Sequence, residues 1–152
     1  MDNLSLWSYT QLLAPRAYVA ANLTISGTTI TNTQTTLASF TVPYTGIYLF
    51  NMYCNFHSPN TSTYGNCVIQ LQDQTTGQVV NEADVYGNAN TVSGISYTTM
   101  EYCKSGNTYA LQAYVPGLGS GLSFFATPRS GGACGAGFSV WYLGQAVGAT
   151  TI

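Results

Sequence analysis

Short segments rich in Thr, Ile, Val and Tyr, separated by Gly, Asn or Pro, recur along most of this chain. These side chains favour extended backbone because β-branched and aromatic residues pack well on a pleated surface. Turn residues interrupt the segments about every ten positions, and about eight to ten strands result, as is typical of an antiparallel sandwich or barrel. The segments read AYVAANLTIS, TTITNT, LASFTV, GIYLFNMYCNF, NCVIQLQDQTTGQVV, TVSGISYTTMEYC, TYALQAYV, LSFFAT and AGFSVWYLG.

Helical periodicity is confined to the N-terminal stretch LSLWSYTQLLAP, which Pro15 would end. We predict that residues 1–16 form a short amphipathic turn or an arm lying on the body or on a neighbour. Residues 17–152 are then one domain. An open sheet of so many strands would expose long edges, so a sandwich or a jelly roll is the economical architecture. The predicted fold is all-β, with two antiparallel sheets packed face to face.

Charge is scarce in this chain, with Lys and Arg totalling 3, Asp and Glu totalling 5, and a formal net charge of -2. Such a surface cannot neutralise a row of phosphates, which argues against a nucleic-acid partner. The polar surface must come from Thr, Asn, Ser, Gly and Gln, as in many extracellular, fibre and capsid proteins. We find neither a secretion leader at the N-terminus nor an apolar run long enough to span a membrane.

The cysteines lack the spacing of a metal site, since no two lie within a C-x(2 to 4)-C interval and His57 is the only histidine. We therefore predict no metal and no cofactor. Two states remain open for the thiols: Cys54 and Cys67 could face each other across a hairpin, or the cysteines could be buried free thiols. The other two are Cys103 and Cys134.

Catalytic groups are equally sparse. His57 lies in NFHSPNTSTYGN, which indicates a strand end followed by a surface loop, and nucleophilic catalysis would need a base beside its nucleophile. Glu82 and Asp84 are close in sequence but have no third partner, and no motif supports paired-acid hydrolysis. We predict that the protein is not an enzyme.

One segment, residues 47–54, is apolar on both faces. Side chains alternate along a strand, so one face carries Tyr48, Phe50, Met52 and Cys54. A strand of a monomeric sandwich usually turns a polar face to water, so something should cover the second face as well. A neighbouring subunit would do so, and so would a loop or the N-terminal arm. The second face carries Ile47, Leu49, Asn51 and Tyr53.

The run FTVPYTGIYLF, with the spacing Phe40-x5-Gly46-x-Tyr48-x-Phe50, resembles the signature of the globular head of complement subcomponent q. That family shares its jelly-roll fold with the tumour-necrosis-factor (TNF) cytokines. SGISYTTMEYCKSGNTYALQAYV resembles the family's paired strands around a tight turn, here Gly106-Asn107, and GFSVWYLG resembles its closing strand. The resemblance spans residues 17–144 and implies a TNF-like jelly roll.

The resemblance also implies a homotrimer, in which one sheet packs around a threefold axis. By this analogy the sandwich core contains Phe40, Tyr48, Phe50 and Trp141. Some family members bind calcium through loop acids, but the spacing of Glu82 and Asp84 gives no support for that here. The trimer interface is expected to contain Ile47, Leu49, Tyr53, Phe138, Val140 and Tyr142.

Two functions fit these features. The first is a structural virion protein at the virion surface, a homotrimer that decorates or cements a capsid or forms a spike or fibre head, with the major capsid protein or another virion component as partner. The second is an extracellular trimeric adhesin or lectin-like module that binds a host surface receptor or glycan. A secreted cytokine-like ligand is a third reading, which the absent leader weakens.

Overall fold

The computed structural model describes residues 18–25, 28–58, 63–88, 91–119, 122–126 and 135–145, and these residues form ten strands. Within these ranges there is no helix, and therefore no helix that could cross a membrane. The predicted arm lies outside them, so the boundaries 1–16 and 17–152 stay predictions. The strands are Tyr18–Ile25 (β1), Thr28–Ile30 (β2), Thr35–Thr41 (β3), Gly46–His57 (β4), Gly65–Asp73 (β5), Gln78–Gly87 (β6), Val92–Cys103 (β7), Thr108–Tyr114 (β8), Phe124–Ala126 (β9) and Ala136–Gly144 (β10).

The strands form two antiparallel sheets. The larger contains β1, β10, β4, β7, β9 and β2, and the smaller has the order β3-β8-β5-β6. In the larger sheet β4 is central, because β7 pairs with its whole length while β10 and then β9 pair along its other edge. The predicted all-β fold with two antiparallel sheets is therefore confirmed.

Two tight turns join consecutive strands, and the sequence predicted the second of them, at Gly106. Gly77 ends the turn between β5 and β6 and has a φ of 77°, while Gly106, between β7 and β8, has a φ of 89°. Positive φ is strained for residues with a Cβ, so glycine suits both positions. The first turn is also fixed by Asp73, whose carboxylate accepts hydrogen bonds from the Thr75 amide and from the Asn107 side chain.

The core lies between the sheets and is aromatic on the β4 side. Phe50 stacks on Phe138 with ring centroids 5.9 Å apart, and it also contacts Tyr109 of the opposite sheet at 5.3 Å. Tyr48 packs on Tyr142 at 5.0 Å and donates its hydroxyl hydrogen to the Tyr44 carbonyl. Burying these large rings supplies much of the drive to fold. The buried residues that face these rings from β5 and β8 of the smaller sheet are Cys67, Ile69, Leu71, Tyr109, Leu111 and Ala113.

Candidate interaction surface

The outer face of the six-stranded sheet is the face turned away from the core. Along β4, the side chains from Tyr48 to Phe56 at even positions are fully buried, so the odd-numbered ones lie on the outer face. The pairing register of β4 with β7 and β10 shows which residues of those two strands lie on each face. Residues of β7 and β10 that pair with Leu49 or Asn51 share the outer face, and those that pair with Phe50 lie on the side that faces the core.

One half of the outer face is apolar. Trp141, Leu49 and Met100 are direct cross-strand neighbours on β10, β4 and β7, and Ile47 pairs with Tyr102 in the adjacent row. Met100 is 63% exposed and Trp141 is 43% exposed, which is unusual for such large apolar side chains. We call this surface the apolar patch. It consists of Ile47, Leu49, Met100, Tyr102, Trp141 and Leu143.

The apolar patch carries no charged side chain: the one charged residue on the described parts of β4, β7 and β10 is Glu101 of β7, which pairs with Tyr48 and so lies on the other side of the sheet. Its residues come from three adjacent strands, so they form one continuous surface rather than scattered exposed side chains. Ile47 and Leu49 are half-buried, while the residues around them on β7 and β10 are exposed. Contiguous apolar surfaces of this kind mark interaction sites.

The structure corrects the predicted interface on β10. Phe138, Val140 and Tyr142 are each fully buried inside their own subunit and cannot meet a neighbour. The reason is register: Val140 lies directly opposite Phe50 on the adjacent strand, and paired residues point to the same side of a sheet. These three side chains therefore complete the core.

Trp141 was expected in the core, and that placement is also wrong. It pairs with Leu49, so it lies on the outer face. The three other expected core residues lie on the inner side: Tyr48 and Phe50 are fully buried, and Phe40 is partly buried with its ring 6.0 Å from that of Tyr48.

The other half of the outer face is polar. A row formed by Ser139, Asn51 and Thr98 crosses β10, β4 and β7, and the Thr98 hydroxyl donates to the Asn51 side-chain oxygen at 3.3 Å. This row separates Tyr53 from the apolar patch. Beyond it lies a depression of about 430 Å³, lined by Asn51, Tyr53, Asn55, Gly94, Ile95 and Ser96.

The titratable residues do not assemble a reactive centre among the described residues. His57 ends β4 on the outer face, whereas Asp73 is buried in its turn, so the two are in different parts of the fold. Glu82 and Asp84 are exposed on the outer side of the smaller sheet, on β6. No three His, Cys, Asp or Glu residues in the described ranges are grouped so that they could hold a metal ion.

Cys54, Cys67 and Cys103 are free and buried. Burial, with a smaller contribution from the neighbouring Cys67, raises the pKa of the Cys54 thiol to about 12. Cys54 lies on the larger sheet and Cys67 on the smaller, so they are not partners across a hairpin. Burial likewise raises the pKa of Cys67 and Cys103 to about 12. Cys134 lies outside the described residues.

Sequence reasoning missed four members of the apolar patch as surface residues: Met100, Tyr102, Trp141 and Leu143. A usable signal was present on β7, where TTMEYC alternates so that Met100 and Tyr102 share one side. The missing information was the pairing of β7 with β4, which places those two residues beside Leu49 and Ile47.

Comparison with known proteins supports the fold. No protein-family model and no curated protein matches the chain. VP2 of an infectious bursal disease virus subviral particle matches with a TM-score of 0.54 and 12% identity, over 86% of this chain and 33% of VP2. Eiger TNF from S. frugiperda matches with a TM-score of 0.50 and 10% identity, over 90% of this chain and 94% of Eiger. Murine APRIL matches with a TM-score of 0.47 and 13% identity, over 69% of this chain and 72% of APRIL.

Identities this low show the fold alone. This chain spans a third of the length of VP2 but nearly all of Eiger TNF, so its strands correspond to one whole TNF-like domain. The likeness to the complement subcomponent q head stays a prediction. The described architecture, with two antiparallel sheets and an aromatic core, is a TNF-like jelly roll.

Proposed function

We propose that this protein is a structural component of a virion that works as a homotrimer. The observation that carries the proposal is the apolar patch: an uncharged, contiguous apolar surface on a sheet that is already sealed against its own core on the other side. Leaving it in water is unfavourable, and sister copies are the partners that the family resemblance implies.

The proposed interface contains Ile47 and Leu49, as the sequence predicted, together with Met100, Tyr102 and Trp141. Tyr53 lies beyond the row through Asn51 and is left outside it. Burying the apolar patch removes large side chains from water without desolvating any charge, a composition typical of obligate interfaces.

In the virion role the trimer decorates or cements the capsid, or forms the head of a spike or fibre. It sits over junctions between capsid subunits with its loops directed outward. The support for a virion is the fold shared with VP2 of a subviral particle and the weakly charged surface, whose polar character comes from Thr, Asn and Ser.

The test is co-sedimentation with empty capsids of the virus that encodes the protein. A decorating or cementing protein sediments with the capsids and saturates at a fixed number of copies per capsid. The Met100→Asp variant, which is designed to remove the trimer, should lose that saturation. A wild-type trimer that stays in the supernatant at every ratio would remove the decoration role.

A second candidate is a trimeric module that binds a cell-surface molecule. It is favoured by exposed aromatic residues beside the loops at one end of the sandwich, where Tyr64 is 54% exposed and Tyr86 is 59% exposed. Tyrosine supplies a large contact area with few rotatable bonds, as in adaptable binding surfaces. Binding of the trimer to cells without capsid binding would favour this candidate.

A further inference from the structure

We infer that the depression on the polar half of the outer face is a binding site for a neutral saccharide. The inference names the ligand class of the second candidate function and in that sense rests on it, but it does not require the virion role. It is carried by the shape of the depression, by the chemistry of its lining and by the positions of two glycines on the flanking strands.

Two glycines set how the side chains around the depression lie. Gly137 of β10 pairs directly with Tyr53, and Gly94 of β7 pairs directly with Asn55. The Tyr53 ring leans over Gly137 and occupies the space that a side chain there would take. On the other side, the Asn55 side-chain oxygen lies 2.6 Å from where a Cβ of Gly94 would be. The two glycines thus allow Tyr53 and Asn55 to lie over the neighbouring strands instead of standing up from the sheet.

The lining then offers a flat ring beside polar groups. Tyr53 covers Gly137 with one side of its ring, and the half-buried ring borders the depression. Asn51, Asn55 and Ser96 supply amide and hydroxyl groups, which can both donate and accept hydrogen bonds. A sugar ring presents apolar C–H groups on one face and hydroxyl groups around its edge, and this combination complements a ring bordered by amides.

The amide of Asn51 has a hydrogen-bond partner on the neighbouring strand. Its oxygen accepts the hydrogen bond from Thr98, so the Nδ2 group points the other way and keeps its two hydrogens for water or a ligand. Asn51 would therefore donate to a sugar hydroxyl at the border between the polar half and the apolar patch.

The described lining also argues against other ligand classes. Among the described residues, no Lys or Arg borders the depression, so its described lining offers no countercharge to a phosphate or a carboxylate. The described lining has no carboxylate for a cation, and its side chains other than Tyr53 and Ile95 are polar. Its volume of about 430 Å³ lies within the range of small-molecule sites and exceeds that of a single sugar ring.

The site also fits the proposed assembly. The row formed by Ser139, Asn51 and Thr98 consists of polar side chains, which would lose hydrogen bonds to water if a subunit covered them without matching groups. A trimer that buries the apolar patch and leaves this row in water displays three depressions at one end. Weak single sites would then act together on a surface that carries several copies of the sugar.

The experiment is a ligand-observed NMR titration of the purified full chain with methyl glycosides of glucose, galactose, mannose, fucose and N-acetylglucosamine. The methyl glycoside of N-acetylneuraminic acid is the anionic comparator. We expect at least one neutral glycoside to bind with a dissociation constant on the order of 1 to 10 mM, as suits a ligand of so few atoms. Tyr53→Leu and Asn51→Ala should each weaken binding about tenfold, because each removes one principal contact.

Ser96→Phe should abolish binding by filling the depression from the edge strand. Val92→Phe is the matched control: it places the same ring on the same strand and face, outside the depression, and should leave binding unchanged. Sedimentation of each variant shows whether it is still assembled, which separates loss of the site from loss of the trimer. The inference is overturned if no neutral glycoside binds at 50 mM (about five times the weakest expected constant), if only the anionic sugar binds, or if Ser96→Phe and Val92→Phe behave alike.

Discussion

At the scale of single residues, the three described cysteines are core residues with unreactive thiols. Each is buried, and burial disfavours the thiolate because a charge in an apolar interior loses its hydration. Nucleophilic and redox-active cysteines show the opposite shift, towards a lower pKa. Cys54, Cys67 and Cys103 therefore contribute packing, as small apolar side chains do.

The raised thiol pKa values predict how stability depends on pH. The pKa of Cys54 is about 12 in the folded protein against an ordinary value of 9.0, so the folded state holds its proton where the unfolded chain releases it. The stabilisation is complete below pH 9 and is lost as pH rises towards 12. Urea unfolding at a series of pH values should show the free energy of unfolding falling above pH 9. The slope in Cys54→Ala should be shallower by about 1.4 kcal/mol per pH unit.

Wild-type and Cys54→Ala slopes that coincide would contradict that assignment. Alkylation provides an independent check on the same thiols. Iodoacetamide at pH 8 should leave all three unmodified in the native protein and modify all three in urea, as read by peptide mass spectrometry. Rapid labelling of native Cys54 would mean that its thiol is accessible.

Glycine at position 46 is required by close packing rather than by its backbone angles. A methyl group there would come within 2.5 Å of the Gly144 carbonyl oxygen and 2.7 Å of the Tyr142 ring, at the fully buried start of β4. Gly46→Ala should therefore destabilise the protein by about 1–3 kcal/mol through overpacking. The matched control is Gly119→Ala, because its methyl group would meet only Leu122 at an ordinary 3.5 Å. Thermal unfolding that affects the two variants equally would argue against close packing at Gly46.

At the scale of elements, β4 and β10 show what alternation alone can predict. Along β4 one face has no strongly polar residue from Tyr48 to Cys54, while the other includes Asn51. Alternation therefore predicted which face of β4 is buried, and the structure has the same face buried. Along β10 both faces are apolar apart from Ser139. Which face of β10 enters the core depends on which of its residues pairs with Phe50. That residue lies about 90 positions further along the chain, so its pairing is set by the folded topology and not by local sequence.

The fold class was predictable because it depends on local features: strand composition, turn glycines and the scarcity of helical periodicity. The candidate site was predictable only in part. The sequence predicted that Ile47 and Leu49 contact another surface. Met100 and Trp141 become their neighbours only through long-range strand pairing, which the sequence did not reveal. The depression could not be predicted, since it needs Gly94 and Gly137 to lie on opposite sides of β4.

Adjacent residues of β4 should respond differently to the same substitution. Phe50→Asp puts a carboxylate among stacked rings with no partner and should abolish folding. Leu49→Asp puts a carboxylate on the outer face, where the charge should disrupt assembly but leave the strand content unchanged. Circular dichroism measures strand content and sedimentation velocity measures assembly. Equal loss of strand content in both variants would mean that the outer face is as essential to the subunit as its core.

At the scale of the whole molecule, the two halves of the outer face divide the proposed tasks. The apolar patch provides association energy through apolar contacts and carries no charged group to pair with a partner. The polar half provides hydrogen-bonding groups and a depression, and little apolar area. Because both halves lie on one sheet, assembly would fix the directions in which the three depressions point, and so link the oligomeric state to the geometry of binding.

The proposed trimer is tested most directly at Met100. Its side chain is 63% exposed in the subunit and lies in the apolar patch, so Met100→Asp should cost the isolated subunit little while placing a charge in the proposed interface. The control is Val79→Asp, which changes an apolar residue of 42% exposure on β6, in the smaller sheet. Sedimentation velocity at micromolar concentration should show wild type and Val79→Asp as trimers and Met100→Asp as a folded monomer. A monomeric wild type would remove the interface, whereas a trimeric Met100→Asp would place the interface elsewhere on the subunit.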